Sequence, residues 1–475
     1  MLSILRANFL YGDDVKRAPS GHGWIYEFNR YSSDIFAKLL NVNNILTDIS
    51  PYSQMFALLL VSIVSVMITY VFCNGTIKYI PLIMSTFVGL CPFAFGCWSY
   101  RFDAPVIAMS VFVCAIPLLF WNSLLQRQSK WHVVKVACLL TICLMIMWTS
   151  FQASNGLFLV AVLGLAFNDW LKQCKIMQIV KKLLIFGVPF LISGLVFVLV
   201  LPSSYERWRS TETFALDELL YGVLKNMKTL FSTFISSLNT EWKILFVLFF
   251  TCFLLSLLVF SERKGIMRVF DMLAGVTFVF IALCLTEGVY LLLVEFGTNG
   301  RYLIGAGMTL AIVGIITTKN ISANWKAVLA VPGTALLYSF IVFALALGNA
   351  YTDQNRYGNF RVELLLNDLS HIYTTKEQVD KTTLHIEGNI GPSAVMRHVR
   401  SQYPAVNKIY GSAHTGLNDV SQGYFKLTRY YNRPQKYTIT PKPGTFDCDS
   451  MKTLLDTYYH TIKSNSEGEV CVILK

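Results

Sequence analysis

Long apolar runs separated by short polar segments fill the chain between residues 54 and 347. Each run holds roughly 13–24 largely apolar residues, and about 20 such residues in a helix cross the hydrocarbon core of a bilayer. The pattern predicts a polytopic α-helical membrane protein of about ten spans. The fifth run is short and also fits a re-entrant hairpin packed inside the protein. The ten runs are Gln54–Cys73, Ile80–Gly96, Ala104–Trp121, Val133–Trp148, Asn155–Phe167, Leu183–Leu201, Lys243–Phe260, Met272–Val294, Tyr302–Thr317 and Val328–Leu347.

Two polar regions flank these runs. Residues 1–53 are polar and aromatic, and within them Leu2–Leu10 resembles the end of a first span. Either that span begins upstream, or the short helix inserts with the help of the bundle. Residues 349–475 carry charges throughout and alternate short apolar runs, which predicts a small α/β domain. The chain thus divides into 1–53, a helical domain 54–348 with an external loop at 202–241, and 349–475.

The elements expected in the tail follow from its local periodicity. Three segments read as helices and two as strands. The helices are Val362–Tyr373, Pro392–Gln402 and Asp449–His460, and the strands are Thr383–Glu387 and Glu469–Leu474.

Four basic clusters alternate with the spans and predict the orientation of the chain. Under the positive-inside rule all four face the cytoplasm. The segments 1–53, 99–103, 202–241, 296–301 and the tail then lie outside the cytoplasm. The clusters are Arg127 with Lys130; Lys172, Lys175, Lys181 and Lys182; Arg263, Lys264 and Arg268; and Lys319 with Lys326.

Composition agrees with a membrane protein. Apolar residues make up 54% of the chain and charged residues 14%, whereas soluble domains carry about a quarter charged residues. The net charge of +12 is spread over short loops and the tail, and neither a basic helix nor zinc-ligand spacing accompanies it. The sequence therefore does not predict nucleic-acid binding.

Two of the eleven cysteines, Cys448 and Cys471, lie apart from the apolar spans. If the tail is outside the cytoplasm, these two can form a disulfide that stabilises the domain by about 3 kcal/mol. The alternative is a pair of buried free thiols.

Adjacent carboxylates at Asp13 and Asp14 are the main candidates for chemistry. Arg17 follows the pair by three residues, and Arg101 stands two residues before Asp103 at the start of a span. A carboxylate near an arginine stays ionised and can act as a general base, while the guanidinium can hold a phosphate. This pattern predicts a site for an anionic lipid-linked substrate. Solvated loop charges and a topological anchor with an ion pair are the alternatives.

Other residues on the same side carry weaker signals. Trp24 and Tyr26 can stack on sugar rings, although interfacial aromatic belts look the same. Arg301, at the mouth of a span, can meet a phosphate or anchor a helix end. Glu287 lies within a span, where an acid is a functional hypothesis by default. His22 has no second ligand at metal spacing, and neither a P-loop nor a nucleophile elbow is present.

Three loop segments together resemble one family. Asp13–Gly21, Asp48–Pro51 and Ser99–Pro105 are similar to the serotype-converting O-antigen glucosyltransferases of enteric bacteria and their temperate phages, the type II branch. The resemblance extends more loosely to Leu384–Gly388 and Val470–Lys475. It departs at the start of the chain, where the family has a complete first helix.

The resemblance implies a GT-C-like glycosyltransferase of the bacterial inner membrane, with its site on the periplasmic side. The implied donor is undecaprenyl-phosphate glucose and the implied acceptor is a sugar of the lipid-linked O-antigen. Asp13 or Asp14 would be the base of an inverting single displacement. The donor is already activated, so no cofactor is expected, although adjacent carboxylates can also hold a divalent ion.

The remaining site residues take supporting roles under the same resemblance. The candidates for the donor phosphate are Lys16, Arg17, Arg101 and Arg301. The candidates for support or acceptor binding are Glu27, Asp103, Trp24 and Tyr26. The implied partners are membrane lipid, a glucosyl-lipid flippase and a donor-synthesising membrane transferase.

Two other function classes fit a basic polytopic protein. A flippase or transporter would carry polar residues inside several spans, whereas here Glu287 is nearly alone. An O-antigen polymerase would place its large loops between spans rather than in a C-terminal domain. The glucosyltransferase is therefore the first expectation, the polymerase the second and the transporter the third.

Overall fold

A computed structural model describes residues 2–25, 30–124, 130–200, 212–261, 263–319, 323–375, 378, 383–410, 447–466 and 468–475. These residues are mostly helical, and a small sheet is formed by the tail. The helices before the bundle are α1 (Leu2–Ala7), α2 (Asp14–Ser20) and α3 (Tyr31–Asn41).

Eight helices of the described residues are long and apolar enough to cross a membrane. They indicate a membrane protein. They are α4 (Tyr52–Phe72), α8 (Asp103–Ala115, continued as a 3-10 turn to Phe120), α9 (Lys130–Trp148), α10 (Ser154–Leu171), α11 (Ile176–Val200), α13 (Thr240–Phe260), α14 (Met267–Cys284, continued to Leu292) and α16 (Ala323–Ile372).

Two of the ten predicted spans are helical but fall short of that length. Residues 79–98 form a pair of helical segments bent by 48°, which counts as a ninth candidate if taken as one span. Its parts are α5 (Tyr79–Ser85), α6 (Phe87–Leu90), a 3-10 turn Pro92–Ala94 and α7 (Phe95–Trp98). The other is α15 (Gly305–Lys319), with 15 residues. The short fifth run is an unbroken helix of 18 residues rather than a hairpin.

The last span continues without a break into the tail. Helix α16 is 50 residues long, so the expected boundary at 348/349 falls inside it. Beyond the span, Val362, Leu365, Leu366 and Leu369 follow helical spacing, and all four are buried against strands of the sheet. The same helix therefore contributes residues to the core of the bundle and to the core beside the sheet.

The sheet has four strands in the order β1-β4-β3-β2, where β1 is parallel to β4 and the other pairs are antiparallel. The expected strands at 383–387 and 469–474 are present at those bounds. The strands are β1 (Thr383–Glu387), β2 (Lys452–Asp456), β3 (His460–Ser464) and β4 (Glu469–Leu474). Helix α12 (Leu219–Ser236) lies between the spans α11 and α13, and α17 (Ala394–Gln402) and α18 (Val406–Ile409) lie between β1 and β2.

The prediction of a helix at Asp449–His460 is wrong. The segment forms β2 and a turn, in which the Thr457 hydroxyl donates to the His460 carbonyl at 2.8 Å. Pairing with β3 overrides the helix-like spacing of its apolar residues. Cys448 and Cys471 beside this strand are joined as a disulfide, with their Cα atoms 5.9 Å apart.

The basic loops meet at one end of the bundle, which we call the basic end (Lys172, Lys182, Arg263 and Lys319). There the Lys78 ammonium donates to the Lys319 carbonyl at 2.8 Å, and Arg263 donates to the Trp170 carbonyl at 3.0 Å. The opposite end, called the loop end, gathers residues 8–24, 99–103 and 296–302. This arrangement agrees with the alternation of basic and polar loops along the sequence.

Candidate active site

The acid pair begins helix α2 at the loop end. The Asp13 carbonyl accepts the backbone N–H groups of Lys16 and Arg17 at 3.1 and 3.0 Å, so Asp13 is the residue at which the helix starts. Gly12 precedes it with φ +55°, and a Cβ there would lie 2.9 Å from the Tyr100 ring. Glycine is therefore needed for the turn and for the close approach of Tyr100.

Asp14 has a structural role. Its side chain is fully buried and accepts three backbone N–H groups, from Tyr11 at 3.2 Å, Arg101 at 2.9 Å and Phe102 at 3.2 Å. Burial raises the pKa of Asp14 to about 8, although the bonds from Arg101 and Phe102 act in the opposite direction. The carboxyl group thus fastens the N-terminal loop to the 99–103 turn.

Asp13 is left available. It is half-buried, and its carboxylate makes neither a hydrogen bond nor an ion pair with any residue that the structure describes. Tyr100 and Arg301 lie within electrostatic range of it. Of the two acids, Asp13 is the one that can accept a proton from a substrate.

Arg17, Asp103 and Trp24 form a buried cluster beside the pair. The Arg17 guanidinium donates to Asp103 at 2.6 Å and stacks over the Trp24 ring at 4.4 Å, while the Trp24 indole N–H donates to the same carboxylate oxygen at 2.9 Å. Asp103 and Trp24 thus contact each other and Arg17 in this cluster. Arg17 is paired with Asp103 and is only 1% exposed.

Arg101 is also committed. Its guanidinium pairs with Asp48 and donates to the Asn8 side chain at 2.7 Å, which ties two loops together. Lys16 is half-buried on α2, and its carbonyl accepts the Ser20 hydroxyl at 2.7 Å. The candidates Tyr26 and Glu27 lie outside the described residues.

Among the described residues, the Arg301 side chain donates hydrogen bonds to hydroxyl groups only. Its guanidinium donates to the Tyr100 hydroxyl at 3.2 Å and to the Tyr302 hydroxyl at 3.4 Å, and its Nε has no partner among the residues described. Neutral hydroxyls orient the group without neutralising its charge. The backbone carbonyl of Arg301 accepts the Cys97 thiol at 3.8 Å.

A second arginine, Arg30, lies within electrostatic range of Arg301, Asp103, Tyr290 and Tyr302. Burial and the neighbouring Arg301 lower the pKa of Arg30, whereas Asp103 acts against them. Guanidinium groups bind phosphate oxygens, so Arg30 is a second candidate for holding an anion near Arg301. Sequence reasoning did not identify Arg30 as a site residue. Its position in the aromatic Trp24–Tyr31 segment, directly before α3, is the one sequence feature that could have drawn attention to it.

Glu287 lies where α14 ends in a kink at Gly288. The residue is fully buried, and neither carboxyl oxygen has a hydrogen-bond partner among the described residues. Glu287 lies within electrostatic range of Tyr290. The Tyr290 ring in turn packs edge-on against Tyr302, with ring centroids 5.2 Å apart.

Two groups of potential metal ligands are engaged in other contacts. His22 Nδ1 is 2.6 Å from the Ser20 hydroxyl. In the described part of the chain, Glu387, Cys448 and Cys471 are the one group of three potential ligands, and its two sulfur atoms are bonded to each other. Sulfur atoms in a disulfide are not thiolate ligands.

Comparison with known proteins bears on this site. The model of the family described as glucosyl transferase GtrII matches residues 2–318, about two thirds of the chain. The matched part contains the acid pair, Arg30, Glu287 and Arg301, and it leaves out the tail. No curated protein and no solved structure matches. The family resemblance inferred from the sequence is thereby confirmed, and the chain belongs to the GtrII glucosyl transferase family.

Proposed function

We propose that this glucosyltransferase moves glucose from undecaprenyl-phosphate glucose to a sugar of the lipid-linked O-antigen, at the periplasmic face of the bacterial inner membrane. One observation carries the proposal. At the loop end, the carboxylate of Asp13 is uncommitted among the described residues and lies within electrostatic range of Arg301, whereas Asp14, Arg17 and Arg101 are held by other groups.

The reaction needs one base and one anion site. Asp13 takes the proton from the acceptor hydroxyl, and that oxygen attacks the anomeric carbon of glucose. A carbon–oxygen bond forms as the bond to the lipid phosphate breaks, so the configuration inverts. Arg301 and Arg30 hold the departing phosphate and stabilise the charge that develops on it. Tyr100 and Tyr302 orient Arg301 through their hydroxyls.

Two features support the periplasmic location. The positive-inside rule predicts that the basic end is cytoplasmic, and the loop end would then lie outside. The disulfide between Cys448 and Cys471 suits an oxidising compartment. A glucosyl-lipid flippase would then deliver the donor across the membrane, after a membrane transferase has made it. The donor is activated already, so the proposed reaction requires no cofactor; a divalent ion held by the acid pair is the alternative.

Intact mass measurement of lipopolysaccharide O-units tests the function. The full chain is expressed in a strain that makes undecaprenyl-phosphate glucose, with an empty vector and a strain lacking the donor as controls. We expect a gain of one hexose per repeat that requires both the chain and the donor. A change in chain length without added hexose would indicate a polymerase instead. No change in either mass or length would contradict the proposal for this acceptor.

A further inference from the structure

The tail is divided between two hydrophobic cores. Its strands pack against the outer part of α16 through residues such as Ile386, Val470 and Val472. The segment Ala394–Tyr410, which we call the hairpin, instead belongs to the core of the bundle. Its residues in that core are Met396, Val399, Ala405, Val406, Ile409 and Tyr410.

The hairpin contacts the loop that carries Arg301. A Cβ built on Gly300 would lie 3.0 Å from the Lys408 carbonyl oxygen, so the two backbones are in direct contact. The Lys408 ammonium donates to the Thr298 hydroxyl at 3.3 Å. Gly96 packs against the same loop, because a Cβ built on Gly96 would lie 3.4 Å from the Arg301 backbone nitrogen. The Arg301 loop is thus held between the hairpin and α7.

The hairpin also contacts the segment that leads to the acid pair. The Tyr11 hydroxyl donates to the Ile409 carbonyl, and the Tyr11 ring packs edge-on against Tyr100 at 4.6 Å. Tyr410 continues this contact, because its ring lies 6.1 Å from that of Phe9. Tyr11 is two residues before Asp13, so its position constrains that carboxylate.

We propose that the hairpin is a positioning element of the active site, which holds the base Asp13 and the phosphate-binding Arg301 in register through Tyr11 and Gly300. The proposal rests on the proposed function, because it assigns no chemistry of its own. Reacting groups must be placed to within about 0.5 Å, and a displacement of about 1 Å costs up to about 100-fold in rate. The hairpin lies outside residues 2–318, so the tail completes a site whose reacting groups lie in the family-matched part.

Two variants of the full-length protein test the two contacts separately. Tyr11→Phe removes one hydroxyl and keeps the ring. Gly300→Ala adds a methyl group against the Lys408 carbonyl. Gly187→Ala is the matched control for the second, since nothing lies within 4 Å of its Cβ. Tyr458→Phe, at an 86% exposed tyrosine, is the control for the first.

Steady-state kinetics with undecaprenyl-phosphate glucose should separate the two contacts. We expect Tyr11→Phe to lower kcat about fivefold with the donor KM unchanged, as for loss of one hydrogen bond that aligns the base. Gly300→Ala should lower kcat about tenfold and raise the donor KM as well, because it displaces Arg301. Wild-type kinetics in both variants, or losses that follow only the folded fraction, would overturn the proposal.

A second measurement does not depend on activity. Hydrogen exchange of the full chain in detergent should become faster at residues 11–14 and 298–302 in both test variants and stay unchanged in both controls. Faster exchange confined to the hairpin would overturn the coupling. If the two test variants show this exchange pattern but the wild type transfers no glucose, the proposed function fails while the mechanical coupling stands.

Discussion

The two ends of the helical bundle both place acids beside bases, but they differ in how many of these charges are satisfied. At the basic end, Asp169 accepts from Lys182 at 2.8 Å and from the Trp121 indole at 2.9 Å. Asp271 similarly accepts from the Trp170 indole at 3.1 Å and lies 3.5 Å from Arg263. Both acids are buried and fully engaged.

The loop end contains engaged acids of the same kind and one exception. Asp14, Asp48 and Asp103 are each bound by backbone N–H groups or by arginine, whereas Asp13 and the neighbouring Arg301 keep their charges uncompensated by direct partners. Burying or confining an unpaired charge costs free energy. We therefore interpret the paired charges as structural and the unpaired Asp13 as the candidate for chemistry.

The sharpest test of this contrast is Asp13→Asn. We expect kcat to fall by about 10²–10⁴-fold, the usual contribution of a general base, while the amount of folded protein stays the same. Transfer of labelled glucose per mole of folded enzyme measures the effect. Full activity in this variant would remove Asp13 from the mechanism and return Asp14 as the candidate.

Asp169→Asn should give the opposite result at the basic end. Without the carboxylate, Lys182 is a buried cation that has lost its partner, which costs about 3–5 kcal/mol of stability. The thermal midpoint in detergent should fall, and kcat of the remaining folded enzyme should be that of the wild type. A specific loss of kcat at unchanged stability would show that the two ends do not divide structure and chemistry in this way.

The arginines of the loop end should divide in the same manner. Arg301→Gln and Arg30→Gln each remove a charge proposed to hold the donor phosphate, so the donor KM should rise about tenfold or more. Arg17→Gln leaves the buried Asp103 carboxylate without its cationic partner and should lower stability instead. Donor titrations on folded protein distinguish the arginines that bind the donor phosphate from the arginine that stabilises the fold. Equal donor KM values for all three variants would contradict the assignment of the phosphate site.

Most of the helical architecture follows from local pattern, because an apolar run of membrane length has few alternatives to a helix. Strands β1 and β4 were also predictable, since each is a short apolar segment bounded by turn residues. The segment 449–460 was not, because pairing with a partner strand decides its conformation. Long-range contacts likewise decide the site. Neighbouring aspartates look equivalent in sequence, and only the turn at Arg101 and Phe102 separates Asp14 from Asp13.

The smallest expected effect is the pH dependence of stability caused by Asp14, and it tests specifically whether Asp14 differs from Asp13. Its pKa is about 8 in the folded protein and near 4 in an unfolded chain, so between these values the folded state holds a proton that the unfolded state has lost. The free energy of unfolding contributed by this group is complete below about pH 4 and is lost as the pH rises toward about 8.

The expected slope is at most about 1.4 kcal/mol per pH unit, and it should disappear in Asp14→Asn, which does not titrate. Thermal midpoints of both proteins between about pH 5 and pH 8 measure the difference, and Asp13→Asn is the control that should keep the wild-type slope. If the wild type and Asp14→Asn instead lose stability in parallel, the three backbone N–H groups hold Asp14 as a carboxylate throughout. The buried acid would then fasten the 99–103 turn as an ion rather than as a neutral group, with its structural role unchanged and Asp13 still the available base.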